Sequence, residues 1–148
     1  MLKTTLLNAV EAGAKQLRRY FNNEDLKISD KEGINNWVTE ADLAAEKAII
    51  DVIKADYPDH FILSEEVGEM ATGSDTKWII DPIDGTINFA SGIPICCVNS
   101  AQYHLTIILY ANAYTTNRNT IGKIDGAVNG INDPFGIAAC CHFANFLT

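Results

Sequence analysis

A layered α/β fold, of the α+β kind with helices packed on a mixed or antiparallel sheet, follows from three features of this 148-residue sequence. Two long segments of helical periodicity come first. Short apolar runs that end in acids come after them, in the manner of buried strands. The composition, 47% hydrophobic and 20% charged, supplies enough apolar side chain for one real core.

The first helix is expected from about Lys3 to Phe21, where Leu6, Val10, Leu17 and Phe21 recur at helical spacing. A signal peptide is the competing reading of "MLKTTLLNAVEAGAKQL", with its lysine and its Ala-Gly-Ala. Asn8 and Glu11 interrupt the apolar stretch and favour the helix. "NNEDLKISDKEGINN" reads as an exposed loop or short hairpin. Thr39 is a suitable N-cap for a second helix, "EADLAAEKAIIDVIKADY", whose Glu40 and Asp42 sit at its positive end and which Pro58 stops. "HFILSEE" and "KWIIDP" are expected strands. "DGTINFASG" begins as a turn and opens a helix, and "IPICCVNSA" and "LTIILYANAYT" are further strand candidates. No apolar run is long enough to cross a bilayer, so no membrane partner is expected.

Charge is unevenly spread. The net charge of −8 argues against a nucleic-acid backbone as partner. It does not argue against small anions, since a bound divalent cation reverses the local field. All of the net charge lies in residues 1–100; residues 101–148 hold only Asp125, Asp133, Arg118 and Lys123, and no glutamate follows Glu69. The chain thus divides into residues 1–100, which carry the net charge and the candidate metal-binding motif, and a charge-poor tail, 101–148, read as incomplete strands of the same domain. Cys96-Cys97 and Cys140-Cys141 lack zinc-type spacing and read as buried thiols in a reducing cytoplasm. His60, His104 and His142 stand alone in the sequence and read as structural or surface residues.

Chemistry concentrates at the ends of the expected strands. Glu65 and Glu66 follow one strand, and Asp81 and Asp84 follow the next, in "WIIDPIDGTINF". If the strands are neighbours, several carboxylates converge, and such a cluster repels itself unless a cation compensates it. Mg2+ is the natural remedy because it takes hard oxygen ligands. Pro82 and Gly85 permit a sharp turn that lets Asp81, the Ile83 carbonyl and Asp84 face one point, with the Thr86 hydroxyl beside them. Asp-Pro and Asp-Gly are also ordinary turn pairs, so spacing alone leaves a metal site and a plain turn both open. An EF-hand loop is excluded, because the alternating acids and the later glutamate are missing.

"WIIDPIDGTINF" resembles the signature of the inositol monophosphatase family, the Mg2+-dependent, lithium-sensitive phosphatases. "DKEGINNWVTEADLAAEKAI" and "FILSEEVGE" resemble the two motifs that precede it in that family, in the same order. The resemblance implies the N-terminal part of a layered sugar-phosphatase fold and hydrolysis of a phosphate monoester such as inositol 1-phosphate. It implies that Glu65, Asp81 and the Ile83 carbonyl hold a first Mg2+, and that Asp81 and Asp84 share a second. Asp42 and Thr86 would orient the attacking water, Lys31 would lie on a loop near the metals, and the backbone of Gly85 and Thr86 would meet the phosphate. Metals about 4 Å apart activate water and stabilise the leaving alkoxide, so no strong protein base is needed. Ile-Asn-Phe after Thr86 resembles the inositol phosphatase branch and not the Lys-Glu-Phe of bisphosphate nucleotidases, which favours a polyol monophosphate and leaves histidinol phosphate and sugar bisphosphates open. The expected partner is a small phosphorylated polyol, with no nucleic acid.

The sequence departs from the family pattern downstream. A third metal-binding aspartate, placed directly after a tryptophan in relatives, has no counterpart here, since the tryptophans are Trp37 and Trp78. "GKIDGAVNGINDPF" faintly resembles the family's strand-turn-strand. A truncated or frame-shifted product with little or no phosphatase activity is the favoured expectation, over a short relative that completes its site as a homodimer; a catalytically incomplete metal-binding pseudoenzyme is a separate alternative. Loss of the covering half would also expose a sheet edge and apolar faces, with Ile107, Ile108, Leu109 and Tyr110 as candidates for an exposed, association-prone segment.

Overall fold

The computed structural model describes residues 1–31, 37–104, 107–117 and 120–128. In chain order these form α1 (Leu2–Tyr20), β1 (Ile28–Asp30), β2 (Trp37–Thr39), α2 (Glu40–Asp56), β3 (Phe61–Ser64), β4 (Gly68–Met70), β5 (Thr76–Asp84), α3 (Thr86–Ala90), β6 (Cys97–His104), β7 (Ile107–Asn117) and β8 (Thr120–Val128). The fold is the expected layered one. Among the described residues, a mixed sheet runs in the order β4-β3-β5-β6-β7-β8, and β1 and β2 form a separate antiparallel pair.

Helical spacing explains how α1 and α2 cover one face of that sheet. Leu6, Ala9, Val10, Ala14 and Leu17 line one stripe of α1, and Ala41, Ala45, Ile49 and Ile53 line one stripe of α2. Both stripes join Ile62, Trp78, Ile80 and Val98 from β3, β5 and β6 in a single cluster. The helices approach closely at Gly13, where a Cβ would stand 2.8 Å from Ile49 Cδ1. Ile79 and Ala101, paired across β5 and β6, point to the opposite face. His60 is structural here: its Nδ1 accepts from Trp78 Nε1 at 3.0 Å, and its ring stacks on Tyr57.

The start of α2 is fixed as its sequence requires. Thr39 Oγ1 accepts from the backbone N–H of Ala41 and Asp42, and Asp42 Oδ2 accepts from the Thr39 N–H at 2.7 Å. This reciprocal capping box is buried. Thr39→Ala is therefore expected to lower stability by about 1–2 kcal/mol, read as a lower urea midpoint at unchanged slope.

Two strand expectations need correction. "KWIIDP" does not end at its first acid: β5 continues through Pro82 to Asp84. Its pairing with β6 passes from Asp81↔Asn99 to Asp84↔Cys97, so one extra residue is accommodated as a bulge. Pro82 has no N–H to give a ladder and is tolerated at such an irregularity. Nor is Ile107–Tyr110 a sheet edge, because β7 pairs with β6 on one side and β8 on the other. The edges among the described residues are β4 and β8.

The composition change near residue 100 falls within β6, and β7 and β8 extend the same sheet. Asp133, Cys140, Cys141 and His142 lie outside the described residues, as does the end of "GKIDGAVNGINDPF". No described helix is long and apolar enough to cross a membrane.

Candidate metal centre

The parallel pairing of β3 with β5 brings the acids together. Phe61 to Ser64 lie beside Lys77 to Ile80 in register, so both strands run toward the same end. The residues that follow Ser64 therefore meet the residues that follow Ile80. The Glu65 N–H donates to the Ile80 carbonyl at 3.2 Å, which continues the ladder one step into the acids.

Asp81 is the centre of the cluster. It is 4% exposed, its Oδ2 accepts from Asn99 Nδ2 at 3.3 Å, and its Oδ1 is buried with no hydrogen-bond partner. Burial pushes its carboxyl up to about 8, and the charges of Glu65 and Asp84 add to the effect. Asp84 lies across the strand pair from Cys97, whose Sγ is 3.9 Å from Asp84 Oδ2. Ile83 anchors its side chain in the core, while its carbonyl accepts from Thr86 Oγ1 at 3.0 Å.

Thr86 opens α3 just after Gly85, which has a positive φ of 87°. Its hydroxyl has a second acceptor in reach, Asp42 Oδ1, at 3.3 Å. One hydrogen serves both, so donation to Asp42 uncovers the Ile83 carbonyl and leaves the Thr86 lone pairs to accept. Asp42 is itself buried, and burial raises its pKa against the hydrogen bonds from Thr39.

Lys31 reaches the same acids from the loop after β1. Its Nζ lies 2.5 Å from Glu66 Oε1 and 3.4 Å from Glu65 Oε1. Partial burial opposes its charge, but the two glutamates outweigh that and raise its pKa. Burial also raises the Glu66 carboxyl, more than the attraction of Lys31 lowers it.

The predicted residues Lys31, Asp42, Glu65, Asp81, Ile83, Asp84, Gly85 and Thr86 thus gather at one end of β3 and β5. They do not form a finished cage: among the described residues, no three acidic, histidine or cysteine side chains are set as a closed metal-ligand group. Asp42 gives Oδ2 to the cap of α2, and Glu65 faces Lys31. The donor set still suits a hard cation, since it is all oxygen and includes the orphaned Asp81 Oδ1.

Three residues of the site have no role in the sequence reading. Asn99 and Cys97 are placed by strand register alone, opposite Asp81 and Asp84. Glu46 is 1% exposed and accepts from the N–H of Glu66 and Val67. Its signal is present in the sequence: it is an acid on the stripe of α2 that also carries Asp42, Ala45, Ile49 and Ile53.

Comparison with known proteins agrees with this architecture. Residues 2–107 match the sequence profile of the inositol monophosphatase family. A curated relative from Haemophilus influenzae, named Nus factor SuhB, is 42% identical over 102 residues, which is 68% of this chain and 38% of the relative. The chain therefore spans well under half the length of such relatives. The crystal structure of extragenic suppressor protein suhB from Bartonella henselae superposes with a TM-score of 0.70 at 30% identity, covering 89% of this chain and 52% of that one. An IMPase/NADP phosphatase complexed with Mg2+ and phosphate shares the fold at 18% identity, with a TM-score of 0.58 over 83% of this chain and 52% of that one.

One expectation is overturned by these relatives. The expectation of a small phosphorylated polyol as the sole partner, with nucleic acid excluded, does not stand beside relatives at 42% identity that are named as Nus factors. The physical reason is that a net charge of −8 bears on direct neutralisation of a phosphate backbone. It carries no information about which assemblies a protein joins.

Proposed function

This chain belongs to the inositol monophosphatase family, and from that premise we propose that its β3–β5 end is the metal-holding part of a Mg2+-dependent site for hydrolysis of phosphate monoesters such as inositol 1-phosphate. The observation that carries the reading is the buried, unpartnered Oδ1 of Asp81 beside the charges of Glu65 and Asp84. A buried carboxylate with like charges around it is costly unless a proton or a cation joins it.

Asp81, Glu65, Asp84 and the Ile83 carbonyl would hold the ion. When bound, Mg2+ supplies Lewis acidity toward phosphate and water at neutral pH. The protein's own part is orientation. Asp42 Oδ1 takes the Thr86 hydrogen, which turns the Thr86 oxygen into an acceptor for a proton of the attacking water. Lys31, held by Glu66, keeps a positive charge at the rim, where a phosphate would approach. The backbone of Gly85 and Thr86 would meet that phosphate.

A second reading has the relatives' name in its favour: a role of the Nus-factor kind, in which the chain binds metal or a partner without catalysing hydrolysis. Calorimetry with Mg2+ and a phosphate-release assay on inositol 1-phosphate separate the two. The first reading expects binding and turnover, both reduced by at least about tenfold in Asp84→Asn. Binding without turnover is the outcome of the second. Absence of any Mg2+ heat from the wild-type chain would sink the metal-dependent reading.

A further inference from the structure

We propose that Glu46 is a positioning residue that presets the Glu65–Glu66 turn for a divalent cation, a role that rests on the metal-dependent reading above. It is a fully buried acid, set inside the protein by a helix and used by none of the steps already described.

The geometry is a clamp on the turn between β3 and β4. Glu46 Oε1 accepts from the backbone N–H of Glu66 at 2.9 Å, from the N–H of Val67 at 3.1 Å and from the Ser64 hydroxyl. The residue between these anchors is Glu65, whose own N–H is tied to the Ile80 carbonyl on β5. Every backbone N–H from Glu65 to Val67 is therefore committed, two to α2 and one to β5. Hydrogen bonds to a carboxylate are shorter and stronger than those between neutral groups. A turn held this way has little freedom to carry the Glu65 carboxylate away from Asp81.

The placement of Glu46 also ties the site to the core. It lies four residues after Asp42 and three before Ile49, so the stripe that docks α2 on the sheet delivers both acids together. The groups facing Glu46 are the Ser64 hydroxyl on β3 and the two turn amides; no basic side chain is paired with it among the hydrogen bonds of the described residues. Its partners hold the main chain of the turn, and this is how an outer group fixes the ligand it supports.

The test compares Glu46→Gln and Glu46→Ala with Ile49→Ala, a cavity-forming change on the same helix where α2 packs against Gly13 of α1. Mg2+ affinity is measured by calorimetry on the 148-residue chain. Amide hydrogen exchange of Glu66 and Val67 is measured without metal. The expected result is Mg2+ affinity about tenfold weaker in Glu46→Gln and weaker still in Glu46→Ala, with faster exchange at those two amides. Ile49→Ala is expected to lower the unfolding midpoint while leaving Mg2+ affinity within about twofold of wild type. Wild-type affinity in Glu46→Gln, or an equal loss in Ile49→Ala, would overturn the proposal while leaving the metal site standing. If wild type gives no Mg2+ heat, the metal-dependent reading fails and this role for Glu46 fails with it. Should Glu46→Ala not fold, the Gln variant and its amide exchange still decide the matter.

Discussion

In urea at about pH 8.5 and without divalent cations, Asp81→Asn is expected to unfold at a higher midpoint than the wild-type chain. Asp81 is almost fully buried and has a folded-state pKa of about 8, against 3.8 for an unperturbed aspartate. Between those values the folded chain binds a proton that the unfolded chain has released. Stability therefore falls as pH rises from about 4 through 8 and levels off above that. Asparagine removes this dependence. It keeps an oxygen for Asn99 Nδ2 and turns the orphaned Oδ1 position into a donor that can face Glu65.

Each unit of pKa displacement is worth a little over about 1 kcal/mol, so the gain near pH 8.5 is roughly 2–5 kcal/mol and vanishes near pH 4. Excess Mg2+ is expected to reverse the order. At roughly a hundredfold excess over Kd, a ligand stabilises by about 3 kcal/mol the chain that binds it, and the variant has lost a ligand. Denaturation at the two pH values, with and without Mg2+, checks all four arms. A wild-type midpoint that stays flat between pH 5 and 8.5 would contradict the account of Asp81.

The second large effect is expected at Gly85. Its φ of 87° lies in the left-handed region, and a Cβ there would stand 2.9 Å from the Ile95 carbonyl oxygen and 3.5 Å from Cys96 Cα. Both neighbours are backbone, so neither can swing aside. Gly85→Ala is expected to cost roughly 2–4 kcal/mol, part from the left-handed conformation and part from the contact. Gly68 is the natural control, since it has a φ of 80° with nothing within 4 Å of the same added carbon. Gly68→Ala should show the conformational part alone, about 1–2 kcal/mol. Equal urea midpoints for the two variants would mean that the close approach of Ile95 carries no cost.

Much of this was legible where the sequence signal is local. The stripe of Leu6, Val10 and Leu17 marks α1, and Thr39 with Asp42 marks the start of α2. The gathering of Glu65, Asp81 and Asp84 was conditional on β3 and β5 being neighbours, and strand order is a long-range fact that periodicity does not contain. The continuation of β5 through Pro82 was hidden for a related reason. Proline reads as a stop unless a bulge takes it in, and the bulge exists only in the pairing with β6. Glu46 was passed over because helices usually put glutamate on a solvated face. Only the docking of α2 against the end of β3 gives it three donors. The exclusion of nucleic-acid partners failed because total charge is a property of the surface and not of the company a protein keeps.

Thr86 carries a consequence of another kind. Its one hydrogen can point to the Ile83 carbonyl or to Asp42, 3.0 and 3.3 Å away. The choice is a rotation about a single bond in a group that does not ionise in the physiological range. The choice is felt by a neighbour that does ionise, because a hydrogen bond from Thr86 lowers the pKa of the Asp42 carboxyl. Two populations of the site, one with the carbonyl covered and one with it bare, can coexist at identical net charge. A spectroscopy that follows the hydroxyl hydrogen counts them directly, and the titration of Asp42 reports them at second hand.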